Sequence, residues 1–301
     1  MSKPTITRWA FDLSTWKPTI AQMKQAVAAL QVEERARIEK FCFIDDFLSS
    51  LVGRLLMRKY VSASSGLNYH EVQFARDIHG KPYWLLDNVP NEEKVKLPRL
   101  SFNVSHQGKF VVLAGITALP PTDNNNVTVP NFGIGVDVME IEYSGGKPLQ
   151  EFFRLMQKKF SKNEWTYIRR PEHSAEAQLK AFMRHWCLKE AFVKELGVGI
   201  TIDLQQISFS VDQNTGLDVD TQPLTNIQLS CDDYAEDDWH FEEHLLAPKY
   251  CAAIAFKNCK PKAEKFVYLN IEDLLVPSDK VECLEILNYC ENALLKPKKP
   301  R

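Results

Sequence analysis

The stretch Trp186-Cys187-Leu188-Lys189-Glu190-Ala191-Phe192-Val193-Lys194 constrains the fold more than any other part of the chain. Phe182, Trp186, Val193 and Leu196 recur at helical spacings that suit a buried stripe, while Glu190 and Lys194 stand four apart and share a face. The pattern predicts a long helix over 175–197 that carries an acid and two lysines and has a packed side and a charged side. An isolated Glu-to-Lys pair at this spacing is ordinarily a surface ion pair worth a few tenths of a kcal/mol. Its role therefore depends on what surrounds it.

The chain has 301 residues, enough for one large domain or two of about 150, and its 45% hydrophobic content can fill a core. A formal net charge of −2 argues against a dedicated nucleic-acid binder, and no apolar run approaches the roughly 20 residues that cross a bilayer. The start, Met1-Ser2-Lys3-Pro4-Thr5, has neither the basic-then-apolar order of a secretion signal nor the pattern of a transit peptide, so a cytosolic protein is expected. The seven cysteines are scattered and form no CxxC pair, which makes disulfides and structural zinc unexpected. Cys187 reads as a small buried hydrophobe rather than a nucleophile.

Helical patterns cover Ile20 to Leu30, Glu33 to Phe43 and Ile44 to Ser62. Gly80 and Pro82 mark a turn between two extended segments, Val72 to Ala75 and Tyr83 to Leu85. Leu100 to His106 alternates as a strand, and Phe110 to Ile116 reads as a fully buried one. Pro120, Pro121 and the Asn124-Asn125-Asn126 run break both patterns. The expected organisation is an N-terminal lobe over 1–118, a linker over 119–131 and a C-terminal lobe over 132–259. The second lobe begins with a strand, Phe132 to Met139, continues with helices over 149–160, 161–170 and 175–197, and ends in strand candidates within 205–256. Residues 260–301 form an extension with an amphipathic stretch near 279–295 and a basic end, Lys296 to Arg301, expected as a mobile tail.

In Phe132-Gly133-Ile134-Gly135-Val136-Asp137-Val138-Met139, strand alternation places Ile134, Val136 and Val138 on one face and Gly133, Gly135, Asp137 and Met139 on the other. Asp137 is thus a carboxylate over a glycine-lined surface, which either leaves room for a ligand or lets another backbone pack closely. Mg²⁺ takes a few carboxylate oxygens beside phosphate oxygens and waters, and Asp137 with Glu190 suits that demand. Phosphates need cations and donors, and Arg54, Arg76, Lys81, His106 and Lys194 lie in or beside segments that turn or end.

Gly135-x-Asp137 followed by Trp186-x-x-Lys189-Glu190-x-x-x-Lys194 resembles the signature of 4'-phosphopantetheinyl transferases. Gly53-Arg54-Leu55-Leu56-x-Arg58, Gly80-Lys81-Pro82, Phe102-Asn103-Val104-Ser105-His106 and Phe160-Ser161-x-x-Glu164 resemble further blocks of that family, in order, over about residues 33–200. The two-lobed, surfactin-synthetase-activating type is the nearer likeness. The resemblance implies an α+β fold of two similar lobes related by a pseudo-twofold axis, with the active site in the cleft between them. It implies transfer of phosphopantetheine from coenzyme A to a serine hydroxyl of an apo acyl carrier domain, releasing adenosine 3',5'-bisphosphate, with Mg²⁺ held by Asp137 and Glu190. Glu190 would accept the serine proton and Lys194 would stabilise the departing bisphosphate. Arg54, Arg76, Gly80, Lys81, Asn103, Val104, Ser105 and His106, with Lys194, would bind coenzyme A. Carrier domains of fatty acid synthase and of aminoadipate-semialdehyde or folate dehydrogenases would be the partners, and a monomer is expected.

Many bacterial relatives in that family carry a second acid where this chain has Met139, and Glu140 has the wrong parity to replace it without a bulge. Gln107 or a water is expected to complete the metal shell. Glu164 matches a family acid with a proton-transfer role, yet Ser161-x-x-Glu164 is also a capping box, and the structural reading is preferred. A non-catalytic coenzyme A-binding adaptor for carrier proteins is the alternative function. A Mg²⁺-dependent nucleotide hydrolase is more distant, since no GxxxxGK[ST] loop is present.

Overall fold

In the computed structural model, which describes residues 3–87, 89–120, 131–197, 202–211, 222–232, 234–278, 281 and 283–300, the chain divides into two units. One comprises Met1–Asn124 with Val267–Arg301, the other Asn125–Phe266. Each has its own apolar core, and each combines antiparallel strands with helices, so the chain has the expected α+β fold. Most of the expected 119–131 linker, residues 121–130, lies outside the described residues.

The first unit opens with a strand, β1 (Thr5–Asp12), followed by α1 (Ile20–Ala28), α2 (Val32–Glu39) and α3 (Ile44–Ser65). Thr19 and Gln22 close a reciprocal capping box at the start of α1, and α3 stops at Gly66, whose φ of 77° is the left-handed conformation that ends helices. A hairpin, β2 (Phe74–Arg76) with β3 (Pro82–Trp84), and a short helix α4 (Asn91–Lys94) lead to β4 (Arg99–Gln107) and β5 (Phe110–Ala118). Gly108, at φ 55°, makes the tight turn between β4 and β5. Leu51, Leu55, Leu56 and Val52 of α3 pack with Val111 and Leu113 of β5 in the core.

In the second unit, β6 (Gly133–Glu140) precedes α5 (Leu149–Leu155), α6 (Lys162–Ile168) and α7 (Ala175–Leu196). A small sheet follows, β7 (Ile207–Val211), β8 (Ile227–Cys231) and β9 (Tyr234–Ala235), and then β10 (Trp239–Ala247) and β11 (Tyr250–Lys257). The principal sheet has the order β10-β11-β6, with Asp137 opposite Ala253.

The end of the chain returns to the first unit, where β12 (Val267–Tyr268) pairs parallel to β1 and completes the order β12-β1-β5-β4. The last helix, α8 (Leu284–Leu294), places Ile286, Cys290 and Ala293 in that unit's core. The basic end departs from the mobile tail expected of it. Lys296 Nζ donates to the carbonyls of Glu39 (2.9 Å) and Phe41 (2.7 Å), Ile44 N donates to the Pro297 carbonyl at 2.9 Å, and Lys299 N donates to Asp45 at 2.8 Å. These contacts satisfy the Glu39 carbonyl at the end of α2 and the Ile44 amide at the start of α3, groups that a helix leaves without internal partners. Among the described residues, no helix is long and apolar enough to cross a membrane.

Candidate active site

Gly133 and Gly135 decide how α7 meets β6. A Cβ on Gly135 would collide with the Ala191 carbonyl and stand 2.7 Å from the Glu195 amide nitrogen, and one on Gly133 would run into the Glu195 side chain. Of the two uses the sequence allows for these glycines, the structure shows close packing of a helix. The face that carries Asp137 is therefore covered by the last turns of α7, and Asp137 is only 4% exposed. Lys194 Nζ donates to Asp137 Oδ1 at 2.6 Å, so the partner of Lys194 is the strand acid.

Glu190 lies one turn before Lys194 on α7 and is half-buried. Burial and then the Asp137 charge push its carboxyl above the ordinary value, against the pull of Lys194 and Lys159. Two carboxylates thus lie near enough to repel, a donor set that a divalent cation relieves. Among the described residues, no group of three His, Cys, Asp or Glu side chains is placed to hold a metal. Met139 packs against the apolar core of its unit and contributes no charge. The residues present fit a cation that takes two carboxylates from this unit and completes its shell elsewhere. Gln107 belongs to the other unit.

Two buried ion pairs fix α7. Arg184 donates from Nε and Nη2 to Glu243 of β10 at 2.8 and 2.7 Å, a bidentate fork. Lys189 is 0% exposed, 2.9 Å from Glu164, and donates to the carbonyls of Leu204 (2.8 Å) and Ile207. Of the two lysines on this helix, Lys189 points into the protein, where Glu164 pairs with it, and Lys194 is the one that pairs with Asp137. Glu164 also accepts from Ser161 N at 2.8 Å and Phe209 N at 3.1 Å, so it caps α6 and ties β7 to α7, as the capping-box reading anticipated. Cys187 is buried, and desolvation first of all holds its thiol well above the ordinary value, consistent with an inert packing residue.

The first unit holds a cavity of about 470 Å³ lined by Arg54, Arg76, Val104 and His106 together with Arg37, Lys40 and apolar groups such as Phe41 and Met57. Gly53 brings α3 to the Val104 side chain, where a Cβ would stand 3.4 Å from Cγ2. Val104 and His106 share one face of β4, and alternation turns Asn103 and Ser105, both buried, to the other. Gly80 lies in the β2–β3 turn at φ 84° and accepts from Arg76 Nη1 through its carbonyl at 2.9 Å. Lys81 N bonds Asp77 in the same turn. The structure thus gathers Arg54, Arg76, Val104 and His106 around one cavity and leaves Asn103, Ser105 and Lys81 outside its lining. Arg58 is structural: its Nη1 donates to the carbonyls of Tyr69 at 2.9 Å and Val72 at 2.5 Å.

Glu34, Arg37, Lys40 and Lys159 carry no local signal in the sequence. The first three sit at helical spacing in Glu33-Glu34-Arg35-Ala36-Arg37-Ile38-Glu39-Lys40, which has the look of a solvated charged helix.

Comparison with known proteins connects both sets of residues. Residues 14–118 match the family model "4'-phosphopantetheinyl transferase, N-terminal", and residues 133–255 match "4'-phosphopantetheinyl transferase superfamily". The chain belongs to the 4'-phosphopantetheinyl transferase superfamily. The basic cavity falls in the first match, and Asp137, Glu190 and Lys194 fall in the second. L-aminoadipate-semialdehyde dehydrogenase-phosphopantetheinyl transferase of Rattus norvegicus is 32% identical over 282 residues, covering 89% of this chain and 84% of the relative. The Xenopus laevis protein of the same name is 35% identical over 280 residues, covering 89% and 85%. A phosphopantetheinyl transferase of a Thraustochytrium species is 30% identical over 257 residues, covering 84% and 79%. Membership makes this chain a phosphopantetheine-transferring enzyme that uses coenzyme A.

Proposed function

We propose that the protein moves 4'-phosphopantetheine from coenzyme A to a serine hydroxyl of an apo acyl carrier domain in a Mg²⁺-dependent reaction. The observation that carries this reading is the juxtaposition of Asp137, Glu190 and Lys194 on β6 and α7. The serine oxygen forms a new bond to the pantetheine-side phosphorus, and the bond from that phosphorus to the bridging oxygen breaks, releasing adenosine 3',5'-bisphosphate. Asp137 and Glu190 would hold the metal, which supplies neutralisation of the pyrophosphate charge when bound.

The protein's own groups do the rest. Glu190, whose proton affinity is raised by burial and by Asp137, accepts the serine proton directly or through a water. Lys194, held at Asp137, stabilises negative charge on the departing bisphosphate. The Arg54, Arg76 and His106 cavity takes the nucleotide phosphates. Gly80, Lys81, Asn103, Val104 and Ser105 complete the coenzyme A contacts, and Gln107 or a water completes the metal shell. The names of the rat and frog relatives point to a carrier domain of the aminoadipate-semialdehyde dehydrogenase type as one substrate. Fatty acid synthase and folate dehydrogenase carriers offer the same serine chemistry.

Glu190→Gln tests the assignment of the base. Transfer should fall by about 10² to 10⁴ while coenzyme A binding is retained. Unimpaired transfer would remove Glu190 from the proton-transfer step and reopen the adaptor alternative for this pair of acids.

A further inference from the structure

Arg54 of α3 and Arg76 of β2 reach one cavity wall from separate elements, and a single acid holds both. Glu34 of α2 accepts from Arg76 Nε at 3.1 Å and Nη2 at 2.9 Å, and its Oε2 also pairs with Arg54 Nε. One further nitrogen of each guanidinium group is fixed locally: Arg54 Nη1 donates to the Ser50 carbonyl and Oγ, each at 2.9 Å, and Arg76 Nη1 to the Gly80 carbonyl at 2.9 Å. Glu34 is absent from the cavity lining and lies behind it, in a smaller pocket with Gln31, Arg58 and Phe74. Facing the cavity are the cations Arg37, Lys40, Arg54 and Arg76. One buried carboxylate therefore sets the geometry of groups whose combined charge it does not cancel.

We infer that Glu34 is a positioning residue: it presents Arg54 and Arg76 as one rigid cationic wall for the dianionic 3'-phosphate, and so makes the enzyme prefer coenzyme A to the same molecule lacking its 3'-phosphate. The inference rests on the proposed reading of the cavity as the nucleotide-phosphate site. Arginines locked in place before the ligand arrives lose little further rotamer freedom on binding. Charge alone argues the other way, because removing the Glu34 carboxylate makes the site more positive and should tighten any anion. Positioning and bulk charge thus predict opposite signs for one substitution.

The test is Glu34→Gln in the full chain, with the dissociation constants of adenosine 3',5'-bisphosphate and adenosine 5'-monophosphate measured by calorimetry. Transfer rates from coenzyme A and from 3'-dephospho-coenzyme A are measured beside them. The unaltered protein should favour the bisphosphate. Glu34→Gln should weaken the bisphosphate by roughly tenfold and leave the monophosphate unchanged. KM for coenzyme A should rise at constant kcat, and kinetics with the dephospho compound should not move. Arg76→Lys, which keeps the charge and breaks the fork from the other side, should give the same selective loss and serves if Glu34→Gln does not fold. Bisphosphate binding equal to or tighter than that of the unaltered protein would overturn the positioning role. If the unaltered protein binds both nucleotides equally, the cavity does not select the 3'-phosphate and the inference falls with it, while transfer from coenzyme A would still uphold the activity.

Discussion

Gly135 lies directly under the Ala191 carbonyl of α7, with no space for a methyl group between strand and helix. That approach sets the separation of β6 and α7, and with it the 2.6 Å contact between Asp137 and Lys194 two residues further along the strand. Gly135→Ala should therefore act at a distance. Overpacking of this kind costs about 1–3 kcal/mol, and the displaced helix should carry Glu190 and Lys194 away from Asp137. Urea denaturation and transfer assays should show losses in both stability and kcat. A stable variant with full activity would mean that the helix position does not set the site.

Lys189 and Glu164 are both fully enclosed, and beside their ion pair each bonds backbone groups: Glu164 accepts from Ser161 N and Phe209 N, and Lys189 donates to the Leu204 and Ile207 carbonyls. Lys189→Met leaves the Glu164 carboxylate buried without its cation, a loss of about 3–5 kcal/mol. Adding Glu164→Gln should recover part of that loss, because the stranded charge is gone. Chemical denaturation of the two single variants and the double variant gives the coupling directly. Additive effects would show that the two side chains act separately.

The structure explains which parts of this arrangement local sequence reveals. Asp137, Glu190 and Lys194 stand out because strand parity and helical spacing place them, and β4, β5, α3 and α7 carry long regular patterns. Lys189 misleads, since a lysine beside a glutamate looks solvated and its partner Glu164 belongs to another helix. The same holds for Glu34, whose arginine partners come from α3 and β2. β12 pairs with β1 across nearly the whole chain, a contact with no local signal, and this return explains why the basic end is anchored. The glycines of β6 were ambiguous because their use depends on what the tertiary structure lays over them.

His185 on α7 is buried, and its Nδ1 lies 2.8 Å from the Ala181 carbonyl. Burial lowers its pKa below the ordinary value of 6.5; Arg184 adds to the effect, while Glu164 and Glu243 oppose it. The unfolded chain binds this proton more readily than the folded one. Stability is thus fully present above about pH 6.5 and falls as pH drops below it, by at most about 1.4 kcal/mol per unit from this group. Urea midpoints between pH 5 and 7.5 should fall more steeply for the unaltered protein than for His185→Gln. Equal slopes would remove His185 as the cause.

On the proposed reading, the ammonium of Lys194, 2.6 Å from Asp137, would compete with a bound metal for that carboxylate. Lys194→Met should lower kcat by about 10², through loss of charge stabilisation on the leaving group. The two carboxylates would then lack their ammonium counter-charge, so the Mg²⁺ concentration giving half-maximal rate should fall. A higher Mg²⁺ requirement would instead place Lys194 in support of metal binding.

Intact-mass analysis of an apo acyl carrier domain incubated with the full chain, coenzyme A and Mg²⁺ tests the central claim most directly. The carrier should gain one phosphopantetheine, and the gain should vanish in EDTA and with Glu190→Gln. A carrier that stays unmodified despite measurable coenzyme A binding, or is modified equally well in EDTA, would contradict the account.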